Sequence, residues 1–470
     1  MQRAECEGGV TLKTDPDGRL TCSKYRSRMN HLGALTARRT LRSILIGAIV
    51  AVSMSTAADA RASNGFFGVL PQEYMTLAEM KTAKAGGIES LRLPLSRRMV
   101  QRSENDWVIV DTFVGNAARA GLTVLPTVYG STPRDSSDRR WLPNTTEGLS
   151  RWNELLERAA GRYGSNGTFW TDHPSIPRMP ITVWQIWNEV NTLWFAPSIS
   201  PGDYANLVIN SSKTIKAVDP DAKILLSGLV GTPRPESGMR ADAYLKKLYG
   251  TNGFRNSFDF AAIHPYEVTV PDSLQDIVDL RATLDRFGDR DKEIYVTELG
   301  WGSDSKTAFG MGSQAAQARY LGSAFKSIVL RRPALKVHAV YWFTWKDLTD
   351  GQKACVFCYE TGLFDRNGAP KASWQELTRV IERERTNPGD PGPFDPTPGT
   401  TGPVKTGSGS KQCRKLRPGS RKRKRCRIAA QCRKRKSAHS KSGRLTARQR
   451  RTCQRQAWRK VPRHQKHPVR

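Results

Sequence analysis

Eight short apolar runs, each leading toward a segment of helical spacing, fill residues 65 to 385, and few folds accommodate that alternation. The runs are GFFGVL (65–70), ESLRLPL (89–95), LTVLPTVY (122–129), ITVWQIWNE (181–189), AKILLSGLV (222–230), FDFAAIHPY (258–266), EIYVTELGW (293–301) and VHAVYWFTW (337–345). They are rich in Val, Ile, Leu and aromatic residues, as strands buried on both faces are. Between them lie helical patterns. One ends on Gly86-Gly87, another on Gly121, and a third carries Leu149, Trp152, Leu155 and Leu156 on one face. Others begin near Pro201, Ser273 and Ser313, and a last one, KASWQELTRVIERER, follows the eighth run. Strand and helix alternating through some 320 residues predict an α/β fold, a (β/α)8 TIM barrel. The competing arrangement is an open doubly wound sheet, which often carries a glycine-rich phosphate turn after its first strand. GFFGVLPQEY is not such a turn.

A (β/α)8 barrel places its chemistry at the C-terminal ends of the strands. Arg92 falls near the tip of the second run, and Asn188-Glu189 ends the fourth. In the sixth, Phe260, Ala262, His264 and Tyr266 recur at period two and share one side. In the seventh, Ile294, Val296 and Glu298 are expected to form the inward row, with the carboxylate on top. The eighth ends in Trp342 and Trp345. Two glutamates facing each other across a cleft have a defined use. One, kept protonated by its partner's charge, gives a proton to a leaving oxygen while the other attacks carbon. Glycoside hydrolysis with retention needs this arrangement with carboxyls about 5–5.5 Å apart.

These motifs resemble, in order and on the matching strands, the clan A glycoside hydrolases, retaining glycosidases built on a (β/α)8 barrel. WNEVN is similar to the clan's Asn-Glu signature, as in family 39, and YVTELGW to its nucleophile strand. LRLP resembles the second-strand arginine of family 5, IHPY the sixth-strand His-x-Tyr, and GLFDRNGAPKASW the closing segment. The resemblance spans residues 65 to 385. It implies Glu189 as general acid/base, Glu298 as nucleophile and Asn188 as partner of the sugar 2-hydroxyl. It further implies that Arg92 and Tyr266 hold Glu298 ionised, that His264 lines the site and that Trp342 floors it, with Trp345 in reserve. WNEV lacks the proline often found after the acid/base, and PTVYG lacks the histidine usual in family 5, so the family and the sugar stay open.

Each residue also has a plainer reading. Asn188-Glu189 alone is a turn and a surface charge, Arg92 alone a rim ion pair, and His264-Pro265-Tyr266 alone a packed strand end. The corresponding alternative for the whole chain is a non-catalytic carbohydrate- or polyanion-binding protein on a degenerate barrel. Asp347 and Asp350 are expected to be solvated loop charges. No metal-ligand spacing is evident, and no cofactor is implied.

The flanks pose separate problems. Lys and Arg total 75 against 43 Asp and Glu, yet residues 401–470 hold 26 of the cations and no acid. The body, with 49 against 43, is nearly balanced. Arg38, Arg39 and Arg42, an apolar run from Ile44 to Val52 and the small residues Ala58, Ala60 and Ala62 have the three parts of a secretory signal. The run is too short to span a bilayer, and Arg38-Arg39 leaves a twin-arginine route as the alternative to general secretion. Translation is expected to start at Met29. The domain reading is an upstream segment with the signal (1–62), the barrel (63–386), a Pro/Gly/Thr/Ser linker (387–411) and a polybasic tail (412–470), mostly disordered. Cys355 and Cys358 are expected to form a local staple, with a redox pair as the alternative. Cys413, Cys426, Cys432 and Cys453 are candidates for a small stapled knot. The tail's expected partners are anionic wall polymers or other polyanions, bound in a salt-sensitive way. With Trp458 its only aromatic residue, it is not expected to read nucleic-acid sequence. The expected protein is a secreted monomer associated with the cell wall, with no membrane-spanning segment once mature and a poly- or oligosaccharide as its substrate.

Overall fold

The structure is a computed structural model that describes residues 12–14, 20–22, 65–100, 107–131, 136–304, 309–348 and 360–388. The signal segment, the start at Met29, the Cys355-Cys358 pair, Asp350, the linker beyond residue 388 and the tail lie outside the described residues. The chain divides into two compact units, Met1–Phe66 and Phe67–Arg470. In the first, Leu12–Thr14 pairs antiparallel with Leu20–Cys22.

The second unit holds a closed barrel of eight parallel strands: β1 Phe67–Leu70, β2 Ser90–Ser96, β3 Thr123–Tyr129, β4 Val183–Ile186, β5 Lys223–Val230, β6 Phe260–His264, β7 Ile294–Leu299 and β8 Val337–Phe343. β8 closes on β1, pairing Val340 with Phe67 and Phe343 with Leu70. A helix follows each strand: α1 Leu77–Ala85, α2 Val108–Ala120, α3 Thr146–Tyr163, α4 Pro201–Val218, α5 Ala241–Leu248, α6 Val270–Arg286, α7 Gln314–Leu335 and α8 Ala372–Thr386. Among the described residues, no helix is long and apolar enough to cross a membrane.

Local chemistry explains the boundaries. Thr76 and Glu79 satisfy each other's backbone N–H groups in a capping box that starts α1. Gly121 stops α2 in the left-handed conformation, φ 73°. Ser200 caps α4 with Pro201 at its first position, where a missing N–H costs nothing. α3 turns Trp152, Leu155, Leu156, Ala159 and Tyr163 inward. Each large apolar side chain so buried contributes roughly 1.5–3 kcal/mol. α5 was not among the helical patterns read from the sequence. It has eight residues and no side-chain cap at Arg240, although Ala241, Tyr244, Leu245 and Leu248 do follow helical spacing and are buried.

The barrel interior is packed in layers. Its lower part holds Leu125, Leu225, Ala262, Tyr295, Ala339 and Tyr341. Tyr341 lies against Gly68, where a Cβ would stand 2.4 Å from the ring, so only glycine fits under it. Above this apolar floor the interior turns polar, with Arg92, Thr127, Gln185 and Thr297 each 2% exposed or less. This buried polar layer supports the barrel mouth.

Candidate active site

The fourth strand does not run straight to its glutamate. After Ile186 the chain passes through Trp187 at φ 70° and Glu189 at φ 42°, both in the left-handed region. Side chains with a Cβ pay about 1–3 kcal/mol for such conformations, so the surroundings must impose them. Trp187 is buried against Trp152 and donates from Nε1 to the Phe195 carbonyl at 2.8 Å. The Glu189 carbonyl accepts from the N–H and the hydroxyl of Thr192, both at 2.9 Å. Val190 N–H donates to Ser227 Oγ at 3.2 Å. The intervening Asn188 bridges to Gly228 of β5. The result is a fastened loop that presents an amide and a carboxylate at the mouth.

Arg92 organises what they meet. It donates from Nε to Gln185 Oε1 at 2.8 Å, from Nη1 to Glu298 Oε1 at 2.6 Å and from Nη2 to Asn188 Oδ1 at 2.7 Å. The Tyr266 hydroxyl donates to the other oxygen of Glu298 at 2.8 Å. His264 Nδ1 stands 2.9 Å from Glu189 Oε1 and 3.6 Å from Glu298 Oε2. One oxygen of Glu189, one of Glu298 and one ring nitrogen of His264 all lie within 4.8 Å of one another. Six of the seven residues expected at the site therefore converge: Arg92, Asn188, Glu189, His264, Tyr266 and Glu298.

Trp342 does not join them, which corrects the expected floor of the site. Alternation along β8 sends Tyr341 and Phe343 inward and Trp342 outward. It is 0% exposed, packs against Trp301 and Phe325 and donates to the Thr361 carbonyl at 2.9 Å. Trp345 is also core, against Phe364 and Trp374. Phe343 takes the inward place, edge-on to Tyr266 at 6.2 Å. The inward row of β7 also differs from expectation. Tyr295, not Ile294, lines the interior. An irregularity in the pairing with β8, where Val340 meets Val296 but Trp342 meets Leu299, then allows both Thr297 and Glu298 to reach the interior. Asp347 is not a solvated charge: it is 6% exposed and paired with the buried Lys371 at 3.0 Å.

The two carboxylates sit in different fields. Burial, then the charge of Glu298, hold Glu189 well above the usual carboxylate range, against the pull of Arg92. Burial raises Glu298 too, and Arg92 and the Tyr266 hydroxyl offset part of that rise. Between them, Glu189 is the one that keeps a proton. His264, 0% exposed, is driven well below its ordinary value by burial and by Arg92, so its ring is neutral. That ring lies directly on Gly228, where a Cβ would be 2.0 Å from Nε2. Glu189, His264 and Glu298 have donor types that bind divalent cations, yet Arg92 already supplies the positive charge that such an ion would bring to Glu298.

Four contributors escaped the sequence reading. Tyr129, at the end of β3, is close enough to feel the charges of Arg92 and Glu298 and packs edge-on to Phe195. Gln185, Thr127 and Thr297 form the polar layer beneath. Their only signal was a polar residue at an inward position of an otherwise apolar strand.

Fold and site together define a (β/α)8-barrel protein with paired carboxylates at the mouth. No protein-family model matches the chain, and no curated protein matches its sequence. Similar solved structures do exist. A glycoside hydrolase family 5 subfamily 18 protein from Bifidobacterium longum subsp. longum, crystallised with Manβ1-4GlcNAc, aligns at 12% identity and TM-score 0.51, over 68% of this chain and 79% of that one. A family 39 β-xylosidase from Caulobacter crescentus aligns at 19% identity and TM-score 0.48, over 68% and 72%. A family 39 enzyme from Xanthomonas axonopodis pv. citri aligns at 15% identity and TM-score 0.48, over 68% and 67%. At these identities the likeness is one of fold, the (β/α)8 barrel.

Proposed function

We propose that the barrel is a retaining glycoside hydrolase, cleaving O-glycosidic bonds in a poly- or oligosaccharide by double displacement. The observation that carries this reading is the juxtaposition of Glu189 and Glu298, from the tips of β4 and β7, with oxygens within 4.8 Å and unequal electrostatic settings. An inverting pair would stand about 6.5–9.5 Å apart to admit a water. Glu298, held by Arg92 and Tyr266, attacks the anomeric carbon. Glu189 gives its proton to the departing oxygen, and a covalent glycosyl-enzyme forms. Bonding consumes the charge on Glu298, one of the two causes that keep Glu189 protonated. Glu189 thus becomes a better carboxylate at the stage when it must take a proton from water. That water attacks the same carbon and frees Glu298.

Arg92 occupies Asn188 Oδ1, which turns the amide's N–H groups to the cleft, where they meet the sugar 2-hydroxyl. Tyr129 offers a ring edge to the sugar. Glycosidases with the same barrel support the reaction class. The test is stereochemical. Proton NMR of the first-formed product from an aryl glycoside should show the anomer of the substrate, and the opposite anomer would overturn the mechanism.

We propose further that the protein is exported and that residues 401–470, with 26 Lys and Arg and no acidic residue, tether it to an anionic surface. Deleting those residues should release it from an anionic wall polymer at moderate salt with turnover unchanged. Retention of the shortened protein would count against the tether.

A further inference from the structure

We propose that Gln185 and Thr297 fix the tautomer of His264, and through it place the proton of Glu189 on Oε2. The inference rests on Glu189 being the general acid, and it concerns how that acid is kept in order.

The hydrogen bonds beneath the site run in one direction because both ends are obligate. Arg92 Nε has no lone pair to accept with, so the Gln185 oxygen must face it, at 2.8 Å. Thr127 Oγ1 donates to the same oxygen at 2.8 Å. The amide nitrogen of Gln185 is thereby turned the other way, to the Leu226 carbonyl at 3.0 Å and Thr297 Oγ1 at 3.3 Å. A carbonyl can only accept, so this end is fixed as well. Thr297 receives a hydrogen from Gln185 and has one of its own to give. It stands 2.9 Å from His264 Nε2.

The Thr297 hydrogen therefore enters the Nε2 lone pair. A neutral imidazole with Nε2 as acceptor carries its hydrogen on Nδ1. Nδ1 lies 2.9 Å from Glu189 Oε1 and donates to it. Oε1 is taken, and the acid's proton resides on Oε2. In the opposite tautomer Nδ1 would accept, Glu189 would turn its proton into the histidine, and the acid would be disarmed. Gln185, Thr297 and His264 are 0% exposed and Arg92 is 2%, so the order is built into the interior. Thr297 and Gln185 are positioning residues: they act through His264.

The test has a spectroscopic arm and a kinetic arm, both on the full chain. With 15N-labelled histidine, the ring signals lost in His264→Gln identify His264. Wild type should show a neutral ring with hydrogen on Nδ1 at neutral pH. Thr297→Val, similar in shape but without the hydroxyl, should lose that single tautomer, and Thr297→Ser should restore it. Thr297→Val should also lower kcat/KM for substrates with poor leaving groups by about tenfold to a hundredfold, a part of the roughly 10²–10⁴ that a positioned proton contributes. Substrates with good leaving groups should change by less than about threefold, since they need no proton. An Nε2–H or charged ring in wild type would overturn the inference whether or not the protein turns over sugars. An intact tautomer in Thr297→Val, or equal losses for both leaving groups, would overturn it too. Absence of turnover in wild type would instead sink the glycosidase reading and leave the tautomer measurement standing.

Discussion

Glu189 and Glu298 are almost equally buried, 7% and 8% exposed, and differ in nearly everything else. Glu298 lies near the end of β7, beside the irregularity in its pairing with β8, and has a guanidinium on one oxygen and a phenol on the other. Glu189 sits in a left-handed turn, and among the described residues its carboxyl is hydrogen-bonded to a neutral imidazole rather than to a cation. Burial raises both, and the partners separate them. The comparison teaches that two identical side chains at one depth acquire different proton affinities from their neighbours' charge.

Removing either glutamate breaks the comparison most sharply. Glu298→Ala should lower kcat/KM on the order of 10⁴–10⁶-fold, as loss of a nucleophile does elsewhere, with an unchanged circular dichroism spectrum. Activity within tenfold of wild type would show that the carboxylate forms no covalent bond. Glu189→Ala should cost about 10²–10⁴ in kcat/KM on poor leaving groups and little on good ones. A loss independent of the leaving group would deny it the acid role.

Arg92 is the source of the asymmetry, so Arg92→Leu tests it next. It leaves Glu298 buried without its cation, which should cost about 3–5 kcal/mol in denaturant unfolding, as breaking buried pairs does. It should also move the acidic limb of the pH–rate profile upward, because the downward pull of Arg92 on Glu298 is gone. A fixed limb would locate the control elsewhere.

The smallest expected effect is on stability against pH. The folded-state pKa of Glu189 is raised above its unfolded value. Its contribution is therefore complete below the ordinary glutamate value and is lost as pH rises through the folded one. Glu189→Gln does not titrate, so its Tm should gain on wild type over the window that opens as pH rises above the ordinary glutamate value. A constant Tm difference across that window would mean that the carboxyl is not strained by its setting.

Much of this was legible in the text. The eight strands coincide with the eight apolar runs, and Asn188, Glu189, His264, Tyr266 and Glu298 follow from counting to strand tips, while Arg92 sits lower, as the third residue of β2. What escaped depended on parity and on context. Trp342 looked like a site residue because it is aromatic and near a tip, but one step of alternation turned it to the helices. Glu298 seemed to continue the row of Ile294 and Val296, and the irregular pairing of β7 with β8 broke that count. Gln185 and Thr297 are uncharged and sit inside apolar words, marked only by being polar at inward positions, and the barrel must close before Gln185 meets Thr297 and Thr297 meets His264. α5 lacked a start signal, and its eight residues are too few for periodicity to stand out.

The bare α-carbon at Gly228 is the seat of the His264 imidazole. Even a methyl group there would evict the ring, and with it the partner of Glu189. A chain of this type that gained an alanine at that spot would have to surrender its histidine in the same evolutionary step. The two positions should be inherited as a unit, and a sequence that parts them marks a barrel that has given up its chemistry while keeping its shape.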